Sequence, residues 1–329
     1  GEVLLDWYDY NARILPWRSE PTPYHVWISE IMLQQTRVEA VKKYYDRWME
    51  ALPDVKALSE VPDEELMKLW EGLGYYNRAR NLKAAALQVM QEFDGEIPAD
   101  YSKLLSLKGV GEYTAGAIAS IAFGIPEPAV DGNALRIFSR ILAEDGEINK
   151  ASVKKKISQE VRRVLPKERP GDFNQALMEL GAVVCVPNGP ARCMECPVAA
   201  LCKAYHHGTV DELPVKAPKK KRTIENKTVL VIQDGECTAI RKRPQEGLLA
   251  GLYELPNVEG HLSMDEALQK VKEMNLEPLH IEVLPEAKHI FSHIEWRMIG
   301  YRIHVSSLEE RKEAPFIFIE KKQSEKQYA

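Results

Sequence analysis

Four of the five cysteines, Cys185, Cys193, Cys196 and Cys202, fall within 18 residues in the pattern C-x7-C-x2-C-x5-C. Four thiolates on so short a stretch can close around Zn2+ or around a [4Fe–4S] cube. Structural zinc usually takes two close cysteine pairs well separated in sequence, so one close pair with uneven gaps favours iron–sulfur over zinc. A disulfide framework would instead spread its cysteines along a small secreted chain. Cys237 stands apart and reads as a small core or surface residue. Two carboxylates also stand out. Glu30, in Trp27-Ile28-Ser29-Glu30-Ile31-Met32-Leu33, is flanked by apolar residues. It fits the wet side of a helix, an ion pair with an arginine, or a partly buried acid that desolvation keeps protonated near neutral pH. Asp131, in Val130-Asp131-Gly132-Asn133, directly precedes a helical stretch and reads as its N-cap, where backbone donors and the positive helix end favour the ionised form. One protonated and one charged acid is the division of labour that glycosidic cleavage through an oxocarbenium-like state requires.

The segment Leu107-Lys108-Gly109-Val110-Gly111-Glu112-Tyr113-Thr114 lies between two helical stretches. Alone, a Gly-x-Gly turn is a plain helix connection. In a helix–hairpin–helix, Gly109 and Gly111 would let the backbone press against a phosphate held by the following helix N-terminus. Such contacts fix register on DNA without reading bases. They also temper the argument from a net charge of −5, which speaks weakly against a nucleic-acid partner when taken alone.

The elements that must position these residues change character along the chain. From about 1 to 210 the apolar residues recur at helical spacing (Leu66, Leu69, Trp70, Leu73; Ala117, Ile118, Ile121, Ala122), broken by glycines and prolines. Pro214 to Lys227 is basic and nearly free of apolar residues, and includes the run Lys219-Lys220-Lys221-Arg222; it reads as an exposed linker. Beyond it come alternating strand-like runs at Thr228–Gln233, Cys237–Lys242 and Ile294–Met298, a change of phase at Gly300 suggesting a bulge, and one helix over Met264–Met274. The expected fold is multi-domain. An all-α domain spans 1–213, with a six-helix part at about 21–130 and a cluster part at 1–20 and 131–213. The linker 214–227 and a small α+β domain over 228–329 follow. No apolar run approaches the roughly 20 residues that span a bilayer. The first residues lack a basic start followed by an apolar core, so a secreted protein is not expected.

Together these motifs resemble the helix–hairpin–helix superfamily of endonuclease III and MutY. Leu33-Gln34-Gln35-Thr36, Glu71-Gly72-Leu73-Gly74-Tyr75-Tyr76, the hairpin, Val130-Asp131-Gly132-Asn133 and the cysteine loop after Glu179-Leu180-Gly181-Ala182 match the MutY family in order and spacing. The cysteine loop is one residue longer in its first gap than the family's C-x6-C-x2-C-x5-C. The resemblance implies a [4Fe–4S] cluster on Cys185, Cys193, Cys196 and Cys202. It implies that Glu30 protonates adenine and assists water, that Asp131 stabilises the cationic sugar, and that Tyr113 and Asn133 support the reacting centre. Arg18 and Gln175 would help form the adenine pocket. Leu33 would contact the DNA, with Gln35 and Tyr75 inserted into the base stack while adenine is flipped out.

At the position of Tyr113 the bifunctional endonuclease III branch carries a lysine that attacks the sugar. Tyrosine cannot form that Schiff base, so base removal without strand cleavage is expected, with a bifunctional glycosylase/lyase as the alternative. Residues 228–329 resemble MutY's Nudix-related C-terminal domain, chiefly through Gly247-Leu248-Leu249-Ala250-Gly251-Leu252-Tyr253-Glu254. The helix at Asp265-Glu266 lacks the glutamates of a working Nudix box, so recognition is expected in place of nucleotide hydrolysis. Phe291, Ser292 and His293 resemble the family's loop against 8-oxoguanine. The implied partner is duplex DNA bearing 8-oxoguanine:adenine or guanine:adenine mispairs, bound by a monomer, with no membrane. The implied place is the bacterial cytoplasm at the nucleoid, or the nucleus or mitochondrion.

Overall fold

The computed structural model describes residues 1–218, 221–307 and 316–320; Lys219 and Lys220 of the basic run, and residues beyond 320, lie outside them. Its elements run α1 (Glu2–Asn11), α2 (Pro16–Ser19), α3 (Pro23–Leu33), α4 (Val38–Ala51), α5 (Val55–Glu60), α6 (Asp63–Trp70), α7 (Asn77–Glu92), α8 (Tyr101–Ser106), α9 (Glu112–Ala117), α10 (Gly132–Leu142), α11 (Ala151–Val164), α12 (Pro170–Val183) and α13 (Lys203–His207). Then come β1 (Thr223–Asp234), β2 (Cys237–Lys242), β3 (Tyr253–Glu254), β4 (Asn257–Glu259), α14 (Met264–Glu273), β5 (Pro278–Ile290), β6 (Ile294–Val305) and β7 (Ile317–Glu320). Two compact units emerge, residues 1–61 with 72–218 and residues 62–71 with 219–329. No helix among the described residues is long and apolar enough to cross a membrane.

The first unit is helical. Its α3 starts where Thr22 accepts a hydrogen bond from the His25 amide at 3.2 Å and Pro23 occupies the first turn, where its missing N–H costs nothing. Tyr24, Val26, Trp27, Ile28, Ile31 and Met32 are all buried, so this helix has no wet side. A second apolar cluster joins Leu4, Leu5 and Tyr8 of α1 to Ile137 and Phe138 of α10, Ile157 and Val161 of α11, and Phe173, Leu177 and Leu180 of α12. Thus the chain's first helix closes the core formed by residues 134 to 184. The hairpin forms between α8 and α9. Gly109 has φ +76°, and a Cβ there would come within 2.6 Å of Asn81 Cβ, so glycine is required on both counts.

The second unit is a mixed sheet in the order β3-β2-β1-β6-β5, with β4 on β1 and β7 on β2. Strands β1 and β6 run parallel, with Thr223 opposite Ile294 and Gln233 opposite His304. Helix α14 buries Ala267 and Val271 against Leu230, Ile232, Ile303 and Val305, and carries a capping box at Ser263 and Glu266. Two details differ from the sequence reading. Strand β1 begins at Thr223, inside the stretch read as linker, because parallel pairing with β6 recruits its polar first residues. The bulge foreseen near Gly300 exists, but the extra residue belongs to β5: Leu284 pairs with Gly300 and Ala287 with Met298, so two residues of β5 face Ile299 alone.

Candidate active site

One cavity of about 620 Å3 in the helical unit gathers Arg18, Glu30, Leu33, Gln35, Tyr113, Asp131, Asn133 and Gln175. Helix α3 supplies Glu30, α9 supplies Tyr113, the start of α10 supplies Asp131 and Asn133, and α12 supplies Gln175. The sequence left three settings open for Glu30, and the buried acid is the one found. Glu30 is 5% exposed, and its carboxyl accepts a short hydrogen bond from the Tyr113 hydroxyl. Burial pushes the Glu30 carboxyl up to about 7, the Asp131 charge adds to the lift, and the Tyr113 hydrogen bond and the Arg18 charge oppose it. Tyr113 is itself held well above its ordinary value, mainly by burial and then by the Glu30 charge, so it remains a neutral donor.

Asp131 does cap α10, through Ala134 N–H to Oδ1 at 2.8 Å, and it also accepts from Asn133 Nδ2 at 2.6 Å. Its carboxyl nevertheless lies above the ordinary value. Burial outweighs the lowering from Ala134, Asn133 and the Arg136 charge. The helix-end donors do favour the ionised form, as the sequence led one to expect, while desolvation, which the sequence does not show, is the larger effect on the shift. Asn133 is fixed from behind. Arg136 donates to Asn133 Oδ1 and to the carbonyl of Gly181, each at 2.8 Å, and a Cβ on Gly181 would come within 2.5 Å of Asn133 Cβ.

Sequence reasoning missed part of the wall. Arg13, Trp17 and Met178 line the same cavity. Behind Arg13 and Arg18 lies Glu179, whose side chain is fully buried. It accepts from Arg13 Nε over a short distance and from Arg18 Nη2 at 2.9 Å, while Arg18 Nη1 bonds the Arg13 carbonyl at 3.0 Å. The available signal was a lone acid inside the apolar run Ala176-Leu177-Met178-Glu179-Leu180, which must find cationic partners when buried.

Of the other expected residues, Tyr75, Gly109, Gly111, Phe291, Ser292 and His293 lie outside this cavity. Tyr75 is 51% exposed on the turn before α7, with φ +49°, and Gln35 just after α3 has φ +60°. Gly111 caps α9 with nothing near the place of its missing Cβ. Phe291, Ser292 and His293 form the turn between β5 and β6, where the Phe291 ring packs 4.9 Å from Trp296 and 4.5 Å from His289.

All four clustered cysteines line one separate small cavity with Arg140, whose Nη1 donates to Cys185 Sγ at 3.1 Å. Among the described residues no group of three or more His, Cys, Asp or Glu side chains is arranged to hold a metal ion. The donor set itself, four thiols turned to one cavity beside a guanidinium, fits an anionic thiolate-bound group. Burial lifts the thiols of Cys193, Cys196 (to about 11) and Cys202, and the neighbouring thiolates add to the lift, so a cation at their centre would be needed to ionise them together.

The hairpin and the cavity-lining Glu30, Tyr113 and Asp131 all fall within the stretch of the chain that matches a family of base excision DNA repair proteins. Residues 28–163 match the model of the HhH-GPD superfamily of base excision DNA repair proteins, and residues 228–328 match a NUDIX domain. The chain is 31% identical to a thermostable thymine-DNA glycosylase of known structure (TM-score 0.57), which covers 63% of this chain and 94% of its own. It is 37% identical over 346 residues to the adenine DNA glycosylase of Arabidopsis thaliana, matching 88% of this chain but spanning only 55% of that protein's length. To the adenine DNA glycosylase of Mus musculus it is 36% identical over 366 residues, covering 93% of this chain and 70% of the relative. The chain belongs to the adenine DNA glycosylase family.

Proposed function

We propose that this chain removes adenine from duplex DNA where it faces 8-oxoguanine or guanine, by hydrolysing the N-glycosidic bond. The observation that carries the reading is the buried Glu30 carboxyl, lifted to about 7 and bonded by Tyr113, beside the capped Asp131 in one cavity. The flipped adenine enters the cavity between Arg18, Leu33 and Gln175, while Gln35 and Tyr75 fill the stack it leaves. Neutral Glu30 gives its proton to the adenine ring, which turns the base into a better leaving group. As the bond to C1′ breaks, the electron pair departs with the base. Asp131, steadied by Asn133, faces the positive charge that develops on the sugar. Water then adds to C1′ and its proton returns to Glu30, leaving an abasic site. Tyr113 holds Glu30 and offers no amine for a Schiff base, so the strand stays intact.

Cys185, Cys193, Cys196 and Cys202 would hold a [4Fe–4S] cluster, and the support is their convergence on one cavity beside Arg140. The cluster would supply a structural cross-link for the loop that follows α12. Gly109 and Gly111 would seat a phosphate. In the second unit the Phe291-Ser292-His293 turn, stiffened by Trp296 and His289, would read the base opposite adenine. The protein would act as a monomer wherever the cell keeps duplex DNA: nucleoid, nucleus or mitochondrion. The specificity is tested by replacing Phe291 and Ser292 with alanine. The preference for 8-oxoguanine:adenine over guanine:adenine should shrink; an unchanged ratio would remove these residues from the reading.

A further inference from the structure

Arg78, in the first turns of α7, makes no contact with the cavity, yet its guanidinium is the most heavily committed donor near it. Nη1 donates to the carbonyls of Ile31 at 2.7 Å, Met32 at 3.2 Å and Gln34 at 2.7 Å. Nη2 donates to the carbonyls of Leu73 at 2.9 Å and Gly74 at 3.1 Å. The first three close the C-terminal end of α3, whose last carbonyls have no partner within the helix. The last two belong to the turn before α7. One side chain therefore ties together two segments about 40 residues apart in sequence.

Each segment carries a residue whose backbone lies in the left-handed region, which residues other than glycine seldom adopt: Gln35 at φ +60° and Tyr75 at φ +49°. These are the two residues read above as filling the stack. The Tyr75 ring also lies 5.8 Å from the Arg78 guanidinium carbon, within reach of a cation–π contact. Burial lowers the Arg78 pKa to about 10, which still leaves it charged at neutral pH. Lysine could not replace this arrangement, since a point ammonium has three donors and no planar fork to span two backbones.

We propose that Arg78 is a positioning residue that couples the Gln35 and Tyr75 segments, so that the two side chains enter the base stack as one rigid wedge. The inference rests on the reading of Gln35 and Tyr75 as stack-filling residues. Preorganising both strained segments in the free protein removes an ordering cost that DNA binding would otherwise bear. The guanidinium reaches α3 only beyond Glu30, so its effect falls on extrusion of the base and not on the proton transfer itself.

The experiment measures single-turnover excision of adenine opposite 8-oxoguanine, and the emission of a 2-aminopurine placed at the target position, for the parent, Arg78→Lys, Gln35→Ala, Tyr75→Ala and the double variants with Arg78→Lys. Far-UV circular dichroism and thermal melting report folding. Arg78→Lys is expected to reduce excision by about 10- to 100-fold, as for a small misplacement of substrate-positioning groups, and to quench the rise in emission on binding. In the Arg78→Lys background, Gln35→Ala and Tyr75→Ala should each add less than about twofold, far below their effect in the parent. Effects that multiply independently would overturn the coupling. If Gln35→Ala and Tyr75→Ala leave emission and excision unchanged in the parent, the stack-filling reading itself fails, a different result from independent effects. Should Arg78→Lys not fold, amide exchange with Arg78 intact decides: Gln35→Ala should lower the DNA-induced protection of amides 73–76, and unchanged protection would overturn the proposal.

Discussion

Replacing Glu30 by glutamine separates what this residue does for chemistry from what it costs the fold. The glutamine amide keeps an oxygen to accept the Tyr113 hydroxyl but carries no titratable proton. In the native protein the carboxyl is lifted from 4.5 to about 7, chiefly by burial. Between those values the native state holds a proton that the unfolded chain has released, so the contribution of Glu30 to stability is fully present below about 4.5 and is lost as pH rises through about 7. At about 1.4 kcal/mol per pH unit, the loss at pH 8 amounts to about 3 kcal/mol. Glutamine is spared it. Glu30→Gln should therefore melt only about 1–3 °C above the parent at pH 5, and roughly 6–12 °C above it at pH 8. Excision by the variant should be abolished at every pH, and excision by the parent should fall as pH rises above about 7. Thermal scans by circular dichroism at pH 5, 6, 7 and 8 measure the first effect. A melting difference that does not change with pH would refute the buried, lifted carboxyl, whatever the activity showed.

Glu179→Gln should leave Arg13 and Arg18 without the buried carboxylate they share, destabilising the helical unit by roughly 3 kcal/mol, since one partner of a buried charge network has been removed. Because both arginines line the cavity, excision should fall more through weaker substrate binding than through the chemical step, which a concentration series under single-turnover conditions separates. Iron and acid-labile sulfide in the purified protein should approach four of each per chain, as a [4Fe–4S] group requires. Cys196→Ser should reduce both and lower the melting temperature; zinc without sulfide would contradict the cluster assignment.

Chemistry-bearing residues were legible where a rare residue type sits at a constrained spacing. The four cysteines stood out by their crowding, which suggests a metal group but leaves zinc open, and Gly109 gained meaning only beside the other motifs, since a Gly-x-Gly turn fits any helix connection. Glu30 was legible as an anomaly, an acid among Trp27, Ile28, Ile31 and Met32, but its setting was open until α3 proved buried all round. Asp131 was legible as a helix cap whose donors favour its charge, but the burial that opposes them is not visible in sequence. Glu179 and Arg13 escaped because they meet across 166 residues, a separation that no local pattern encodes. In the second unit the long strand β5 went unseen for a related reason. It is an edge strand, mostly exposed, so its sequence carries little of the alternation that marks a half-buried strand. The same lack of alternation hid the start of β1, where pairing with β6 sets the strand and burial does not.

The central claim is that a protonated Glu30 and a capped Asp131 together release adenine. It is tested most directly by single-turnover excision on a duplex containing 8-oxoguanine opposite adenine, comparing the parent with Asp131→Asn at pH 7 and assaying the product with and without alkali. The parent should yield an abasic strand that breaks only on alkaline treatment. Asp131→Asn, which keeps the cap geometry but removes the charge facing the sugar, should be slower by about 10^2- to 10^3-fold or more. Undiminished excision by Asp131→Asn, or strand breakage without alkali that borohydride traps as a covalent adduct, would contradict the account.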